Sequence, residues 1–235
     1  MKILKAYWVL IIFITGCSLS TKETVRQVQY NIFYDTPLSP VQLQEVSTKY
    51  RYIPLETNDY SLLEDITDPI MYKNNRYYID NQLCIFMFDC NGKYLKTFDR
   101  HGQGPGEYGL YFFSTVNDKG DIVLLTGGSR NIYYYTSEGD FISKINLDSL
   151  HTDGMAFLND TLLLLQEAEM RDGYKYHVLN LSSSQIQNTF YPMKDRKHCS
   201  WRDDCFTSYD GKILVSEYKS NEIKEITKDS TVVKY

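Results

Sequence analysis

The feature that most constrains the fold is a plan that recurs along the chain every 44 to 47 residues. Each copy has a strand end, a tight polar turn and a second strand, and the copies begin at Phe88, Tyr135, Leu179 and Ile226. A repeat of this length is typical of one supersecondary unit that stacks on its neighbours. The sequence therefore predicts a row of similar units.

A second polar turn precedes the first in every copy, so that four strand-like runs fall within each repeat. Tyr, Phe, Ile and Val in the runs favour strands, while Gly and Asn in the turns favour tight hairpins. Four short antiparallel strands in a repeat of this length are typical of a β-propeller blade. An all-β sandwich would explain the strands but not the constant period. We predict an all-β propeller with blades at about residues 64–99, 111–146, 153–190 and 204–235.

The N-terminus predicts export and lipid attachment. Lys2 and Lys5 precede an apolar run over residues 6–14, and Thr15, Gly16 and Cys17 follow it. The run is too short for a spanning helix, which needs about 20 apolar residues, and its charged start and small-residue end are typical of a processed leader. The expected organisation is a lipoprotein signal peptide (1–16), a lipidated Cys17 with a polar tether (17–45) and the propeller domain (46–235).

The expected address is the bacterial cell envelope, at the outer membrane, with the leaflet left open. An uncleaved N-terminal anchor helix is the alternative. The formal net charge is −5, and removal of the two leader lysines makes it −7 (−5 − 2). Because phosphate binding needs clustered Lys and Arg, no nucleic-acid partner is expected. The expected partners are the membrane, through the lipid anchor, and a glycan, a peptide or an envelope protein.

Two stretches resemble a known family. The sequence from Tyr52 to Thr57 (YIPLET) and the sequence from Gly102 to Tyr108 (GQGPGEY), with the Asp89–Gly92 turn between them, resemble the bacterial six-bladed β-propeller lipoproteins related to NHL-repeat propellers. The resemblance runs from about Tyr50 to the C-terminus. It implies a six-bladed ring on a lipid tether, in a family whose members mostly lack an assigned activity.

The chain has fewer blades than that family. Six blades would need roughly 270 residues, whereas four repeats are counted here, so the chain is interpreted as a truncated member. A closed four-bladed ring is the alternative. In a closed propeller a leading strand such as Tyr50–Leu55 usually completes the last blade. The fourth repeat already supplies a last strand near Thr231–Tyr235, so the leading strand would lack a partner.

Strand direction sorts the loops onto two faces of the propeller. The first-to-second and third-to-fourth strand turns lie on one face, here called the hairpin face. The second-to-third strand turns and the blade-to-blade connections lie on the other, the connection face. The connections are longer and richer in functional groups, and binding residues collect on loops held by a rigid scaffold. The predicted binding residues on the connection face are Arg100, His101, Glu107, Tyr108, Arg130, Arg171, His198, Trp201, Arg202, Asp203 and Asp204.

No known catalytic signature is present in the sequence, such as Gly-x-Ser-x-Gly or His-Glu-x-x-His. The stretch Gly102–Gly106 lacks the helix that a phosphate loop opens, and it is interpreted as a connector. The leading hypothesis is a non-enzymatic binding module without cofactor or metal. The alternative is an envelope carbohydrate-active hydrolase or lyase, which requires Glu107 to lie within reach of Asp203 or Asp204.

Four cysteines remain after Cys17: Cys84, Cys90, Cys199 and Cys205. An oxidising compartment permits disulfides, and a bridge between Cys199 and Cys205 is one option beside separate thiols. Zinc is disfavoured, because both pairs are separated by five residues where structural sites favour two to four.

Overall fold

The computed structural model describes residues 47–63, 66, 68–127, 130–148, 150–167, 173–192, 205–216 and 222–234, with the single positions 42 and 44. The blades belong to one compact unit, Leu38–Tyr235. In the described part of the chain, no helix is long and apolar enough to span a membrane.

The described residues form four antiparallel sheets of four strands, and each sheet runs in chain order from its first strand to its fourth. This result confirms the predicted fold class. Blade 1 is β1 (Met71–Lys73), β2 (Arg76–Asp80), β3 (Ile85–Asp89) and β4 (Tyr94–Phe98); blade 2 is β5 (Tyr111–Val116), β6 (Ile122–Thr126), β7 (Asn131–Tyr135) and β8 (Phe141–Asn146); blade 3 is β9 (Thr152–Phe157), β10 (Leu162–Glu167), β11 (Tyr174–Asn180) and β12 (Gln185–Pro192); blade 4 is β13 (Cys205–Tyr209), β14 (Lys212–Ser216), β15 (Ile223–Ile226) and β16 (Thr231–Val233).

The hairpins form where the sequence allows a left-handed backbone. Asn74 and Asn75 have φ of 50° and 56°, as a type I′ hairpin turn requires at both central residues. Gly92 and Gly139 hold the same position in the third-to-fourth strand turns of blades 1 and 2, with φ of 86° and 89°. Asp89 reinforces its turn by accepting hydrogen bonds from the Asn91 and Lys93 amides (2.8 and 2.9 Å).

The blades stack face to face, with one apolar cluster between each consecutive pair. Tyr78 of blade 1 and Leu124 of blade 2 share the first cluster, and both are fully buried. Further clusters lie between blades 2 and 3 and between blades 3 and 4. The middle blades are therefore buried on both faces, as every residue of β6 shows. The innermost strands β1, β5, β9 and β13 are neighbours in that order.

Residues 50–63, here called the strap, cover the face of blade 1 that points away from blade 2. Leu55 and Leu63 pack there against Ile79, Phe86 and Phe88. The Glu56 amide donates to the Gly92 carbonyl oxygen (2.8 Å), and the Glu56 carboxylate accepts from the Tyr94 amide (3.0 Å). The segment that the sequence predicts as a leading strand thus lies outside the four sheets and covers an exposed blade face.

The strap stands against blade 1 much as the outer strand β4 stands against blade 2. A Cβ added to Gly139 would lie 3.3 Å from the Phe98 ring at the end of β4. A Cβ added to Gly92 would lie 2.1 Å from the Pro54 carbonyl oxygen and 3.1 Å from Ile53. Only glycine allows so close an approach to the strap backbone.

We expect Gly92→Ala to loosen the strap, and Gly211→Ala is the matched control. Both glycines have positive φ, but a Cβ on Gly211 meets nothing within 4 Å. Each substitution should lower the free energy of unfolding by about 1 kcal/mol, because alanine disfavours the left-handed backbone. Gly92→Ala should lower it by roughly 1 kcal/mol more, because it displaces the hydrogen bond from the Glu56 amide to the Gly92 carbonyl oxygen. Urea unfolding measures the difference, and tryptic cleavage after Arg51 should be faster in Gly92→Ala alone. Equal cleavage rates in the two variants would contradict this account of the strap.

Candidate functional site

The structure describes five of the predicted binding residues: Arg100, His101, Glu107, Tyr108 and Arg130. Cys205 opens β13, and its side chain is not described. The other predicted residues lie outside the described ranges, namely Cys17, Arg171, His198, Cys199, Trp201, Arg202, Asp203 and Asp204.

Tyr108 and Arg100 hold the connection between blades 1 and 2 in place. Tyr108 is 1% exposed and packs among Phe98, Tyr111 and Tyr135, and burial raises its pKa to about 12. Its hydroxyl accepts the Arg100 amide (3.3 Å), while Arg100 Nε donates to the Gly139 carbonyl oxygen (3.2 Å). Strand parity assigns Arg100 to the connection face, but its side chain reaches a turn of the hairpin face.

Glu107 is directed into its own loop. Its carboxylate accepts the Gly104 amide (2.8 Å), and a Cβ on Gly102 would lie 1.9 Å from the same carboxylate. The glycines of this stretch therefore make room for Glu107, in agreement with the interpretation as a connector. The carboxylate pair required by the hydrolase alternative includes Asp203 or Asp204, which fall outside the described ranges.

His101 directly follows Arg100 and contacts Tyr108, whereas Arg130 lies just before β7 in blade 2. His101 is exposed, forms an isolated bridge with Tyr108 and sets its ring edge-on to the tyrosine. Arg130 directly precedes β7 and has a positive φ of 50°. Its carbonyl oxygen accepts a hydrogen bond from the Leu147 amide (2.9 Å).

Asp80 is a buried carboxyl group that sequence reasoning missed. It is 2% exposed and ends β2 at the boundary of blades 1 and 2. Oδ1 accepts the Tyr111 hydroxyl (2.7 Å) and the Gln82 amide (2.6 Å), and Oδ2 accepts the Ser114 hydroxyl. Burial raises the pKa of Asp80 despite these donors, and burial together with the Asp80 charge raises the pKa of Tyr111. The sequence signal was an aspartate that directly follows the strand residues Tyr77–Ile79.

A cavity of about 150 Å³ opens on the hairpin face, at the place here called the mouth. All four blades contribute to it, each through the end of its innermost strand or the turn that follows. The lining residues are Lys73, Asp118, Phe157, Leu158, Asn159, Ser208, Gly211 and Ile213. The mouth therefore combines charged, amide, hydroxyl and apolar groups.

Bonds between equivalent turns hold the rim of the mouth. Lys73 Nζ of blade 1 lies 2.7 Å from Asp118 Oδ1 of blade 2, and Lys119 Nζ lies 3.1 Å from Asp160 Oδ2 of blade 3. Asn74 also donates to the Lys119 carbonyl oxygen (3.0 Å). The sequence analysis placed these tight turns on the hairpin face, away from the predicted binding residues. The Lys and Asp residues that recur in the turns were a sequence signal for this site.

No metal site is evident in the described ranges, where no three His, Cys, Asp or Glu side chains are placed to hold an ion. Cys84 and Cys90 are free thiols. Burial raises the pKa of the Cys84 thiol to about 11, so this group is protonated at neutral pH.

Residues 29–235 match the family described as "Domain of unknown function (DUF4934)". The chain belongs to the DUF4934 family. None of the curated proteins matches it. The six-bladed, NHL-related assignment stays a prediction beside this broader one.

Two solved structures are similar to this DUF4934 chain. One is a protein from Bacteroides fragilis NCTC 9343 named for its expected export, with 20% identity, a TM-score of 0.64 and coverage of 78% of this chain and 54% of the other. The other is a member of the DUF4221 family from Bacteroides vulgatus ATCC 8482, with 14% identity, a TM-score of 0.53 and coverage of 77% and 60%. At these identities the likeness shows the fold alone. The chain spans between half and two thirds of both structures.

Proposed function

We propose that this DUF4934 chain is the propeller domain of a cell-envelope lipoprotein, anchored through Cys17, that binds a ligand at the mouth. The observation that carries the proposal is the cavity to which all four blades contribute. Ligand sites are typically concave and largely apolar, with a few convergent polar groups. The mouth is concave and places Phe157, Leu158 and Ile213 beside Lys73 and Ser208, and its exposed lining is more polar than apolar.

The size of the mouth limits what it binds. Sites for drug-sized molecules have roughly 300–1,000 Å³, so a cavity of about 150 Å³ holds one small unit, such as a single residue of a longer ligand. The ion pairs between Lys73 and Asp118 and between Lys119 and Asp160, with the hydrogen bond from Asn74 to the Lys119 carbonyl oxygen, connect neighbouring turns at the rim in the absence of a ligand. Such preorganisation lowers the entropy lost on binding.

The proposed address rests on the leader-like N-terminus and agrees with the expected export of the Bacteroides fragilis protein that shares the fold.

Intact mass of the protein extracted from its native membrane tests the anchor. We expect the mass of residues 17–235 plus acyl chains, and for Cys17→Ser a mass without acyl chains. An unacylated mass for the unchanged chain would exclude the anchor.

Photocrosslinking in the envelope tests the site. A p-benzoylphenylalanine at Asp118 lies at the mouth, and the same group at Leu83 (58% exposed) lies in a second-to-third strand turn on the connection face. We expect a specific adduct from position 118 and none from position 83. Adducts from position 83 alone would move the binding site to the connection face and refute the mouth.

A further inference from the structure

We infer that the mouth binds a carboxylate that is carried next to a small apolar group, as in the last residue of a peptide or a free apolar amino acid. The inference rests on the proposed function and names its ligand class.

Three donor groups around the cavity have capacity to spare. Lys73 Nζ has three N–H bonds and uses one on Asp118 (2.7 Å). Asn159 Oδ1 accepts the Thr161 and Leu162 amides (2.9 Å each), which fixes the side chain and leaves its NH₂ group for a ligand. Ser208 lines the cavity and is exposed, so its hydroxyl is accessible to a ligand. An ammonium, an amide NH₂ and a hydroxyl together are the groups that a carboxylate accepts from.

The charges at the mouth are arranged from inside to outside. The Lys73 side chain is 27% exposed, whereas the Asp118 side chain with which it pairs is 80% exposed. The positive charge is thus the more sheltered of the two, and water screens the negative one. A ligand carboxylate would approach Lys73, while an amide N–H or ammonium on the same ligand would face Asp118. That polarity matches the backbone of an amino acid with a free carboxylate.

Part of the lining of the cavity is apolar. Phe157, Leu158 and Ile213 line it, and Ile213 is 6% exposed. A side chain of the size of valine or leucine would fill most of the space, and its transfer from water contributes roughly 1.5–3 kcal/mol. The combination of this apolar part with the donors described above favours an apolar residue that carries a carboxylate.

The test uses the full-length chain carrying Cys17→Ser and follows ligand binding by NMR chemical shifts. The probes are N-acetyl-glycyl-leucine, its C-terminal amide and free leucine. We expect the acid to bind with a Kd on the order of 0.1–1 mM and the amide to bind roughly tenfold more weakly, because it lacks the charged acceptor. Free leucine that binds as well as the blocked acid would identify an amino-acid site, and weaker leucine binding would identify a peptide terminus.

Two matched variants locate the effect. Lys73 and Lys96 each form one ion pair from blade 1 to blade 2, with Asp118 (2.7 Å) and with Glu138 (2.8 Å), but only Lys73 lines the cavity. We expect Lys73→Gln to weaken acid binding roughly tenfold and Lys96→Gln to leave it unchanged. Ser208→Leu, which fills an exposed position at the mouth, should abolish binding while thermal unfolding stays as in the parent.

Equal binding of the acid and the amide, or an equal loss in both lysine variants, would overturn the inference. Absence of binding by every probe to folded protein would overturn it too. If no probe binds but position 118 still gives a crosslinked adduct, the proposed function is retained and the ligand belongs to another chemical class. Absence of the adduct as well would remove both proposals.

Discussion

Tyr135→Ala is expected to lower the free energy of unfolding by about 3–5 kcal/mol. Tyr135 is fully buried between blades 1 and 2, with ring centroids 4.9 Å from Phe98 and 5.8 Å from Phe141. Its hydroxyl donates to the Gly106 carbonyl oxygen (3.0 Å), so one side chain holds two blades and the connection between them. Urea unfolding followed by tyrosine fluorescence or circular dichroism measures the loss.

Two further variants separate the causes. Tyr135→Phe keeps the ring and removes only the hydroxyl, and it should cost about 1 kcal/mol. Tyr60→Ala removes a ring that is 77% exposed and should change stability by about 0.5 kcal/mol or less. A loss in Tyr135→Ala no larger than that in Tyr60→Ala would show that the cluster between blades 1 and 2 contributes little.

Asp80→Ala is the second large effect, with an expected loss of about 3 kcal/mol or more. The Tyr111 hydroxyl, the Ser114 hydroxyl and the Gln82 amide all donate to this carboxyl. Alanine would leave all three donors without their acceptor at a buried site, and an unsatisfied buried group costs about 1–3 kcal/mol. Asp80→Asn keeps an acceptor oxygen and should cost much less at low pH. Similar urea midpoints for the alanine and asparagine variants would contradict the role of the acceptor.

The same carboxyl predicts a pH dependence. Burial raises the pKa of Asp80 in the folded chain, and the nearby Asp68 charge acts in the same direction. In the unfolded chain the pKa is about 3.9. The contribution of protonated Asp80 is therefore fully present below about pH 4 and is lost as the pH rises through the raised folded-state pKa. The parent should lose stability relative to Asp80→Asn over that interval. A constant difference between the two proteins from pH 4 to pH 8 would refute the shift.

The four-stranded blades could be predicted from the sequence because their signals are local. The turn at Asn74 and Asn75 and the turn at Gly92 need residues that tolerate positive φ, and the chain supplies such residues at a regular period. The strand composition and the spacing of the turns then determine four strands per unit. None of these steps requires knowledge of contacts between distant residues.

The site and the strap could not be located in this way, because they depend on distant contacts. Lys73 and Asp118 are 45 residues apart and meet only when consecutive blades stack. Tyr108 follows a glycine-rich stretch and looks like a surface aromatic, but Phe98 and Tyr135 enclose it. The strand-like residues at Tyr50–Leu55 gave no indication that they would lie against Gly92 of blade 1.

The apolar clusters between consecutive blades also determine how damage spreads through the molecule. Among the described residues, blades 2 and 3 each share two such clusters, blade 4 shares one, and blades 1 and 4 share none. Stability in such a row is close to a sum over neighbouring pairs. We therefore expect blade 4 to unfold first, while the strap adds packing to the outer face of blade 1. A destabilising substitution in blade 4 would affect blade 3 directly, and it would affect blade 1 only if the two interfaces between blades 3 and 2 and between blades 2 and 1 were also disrupted.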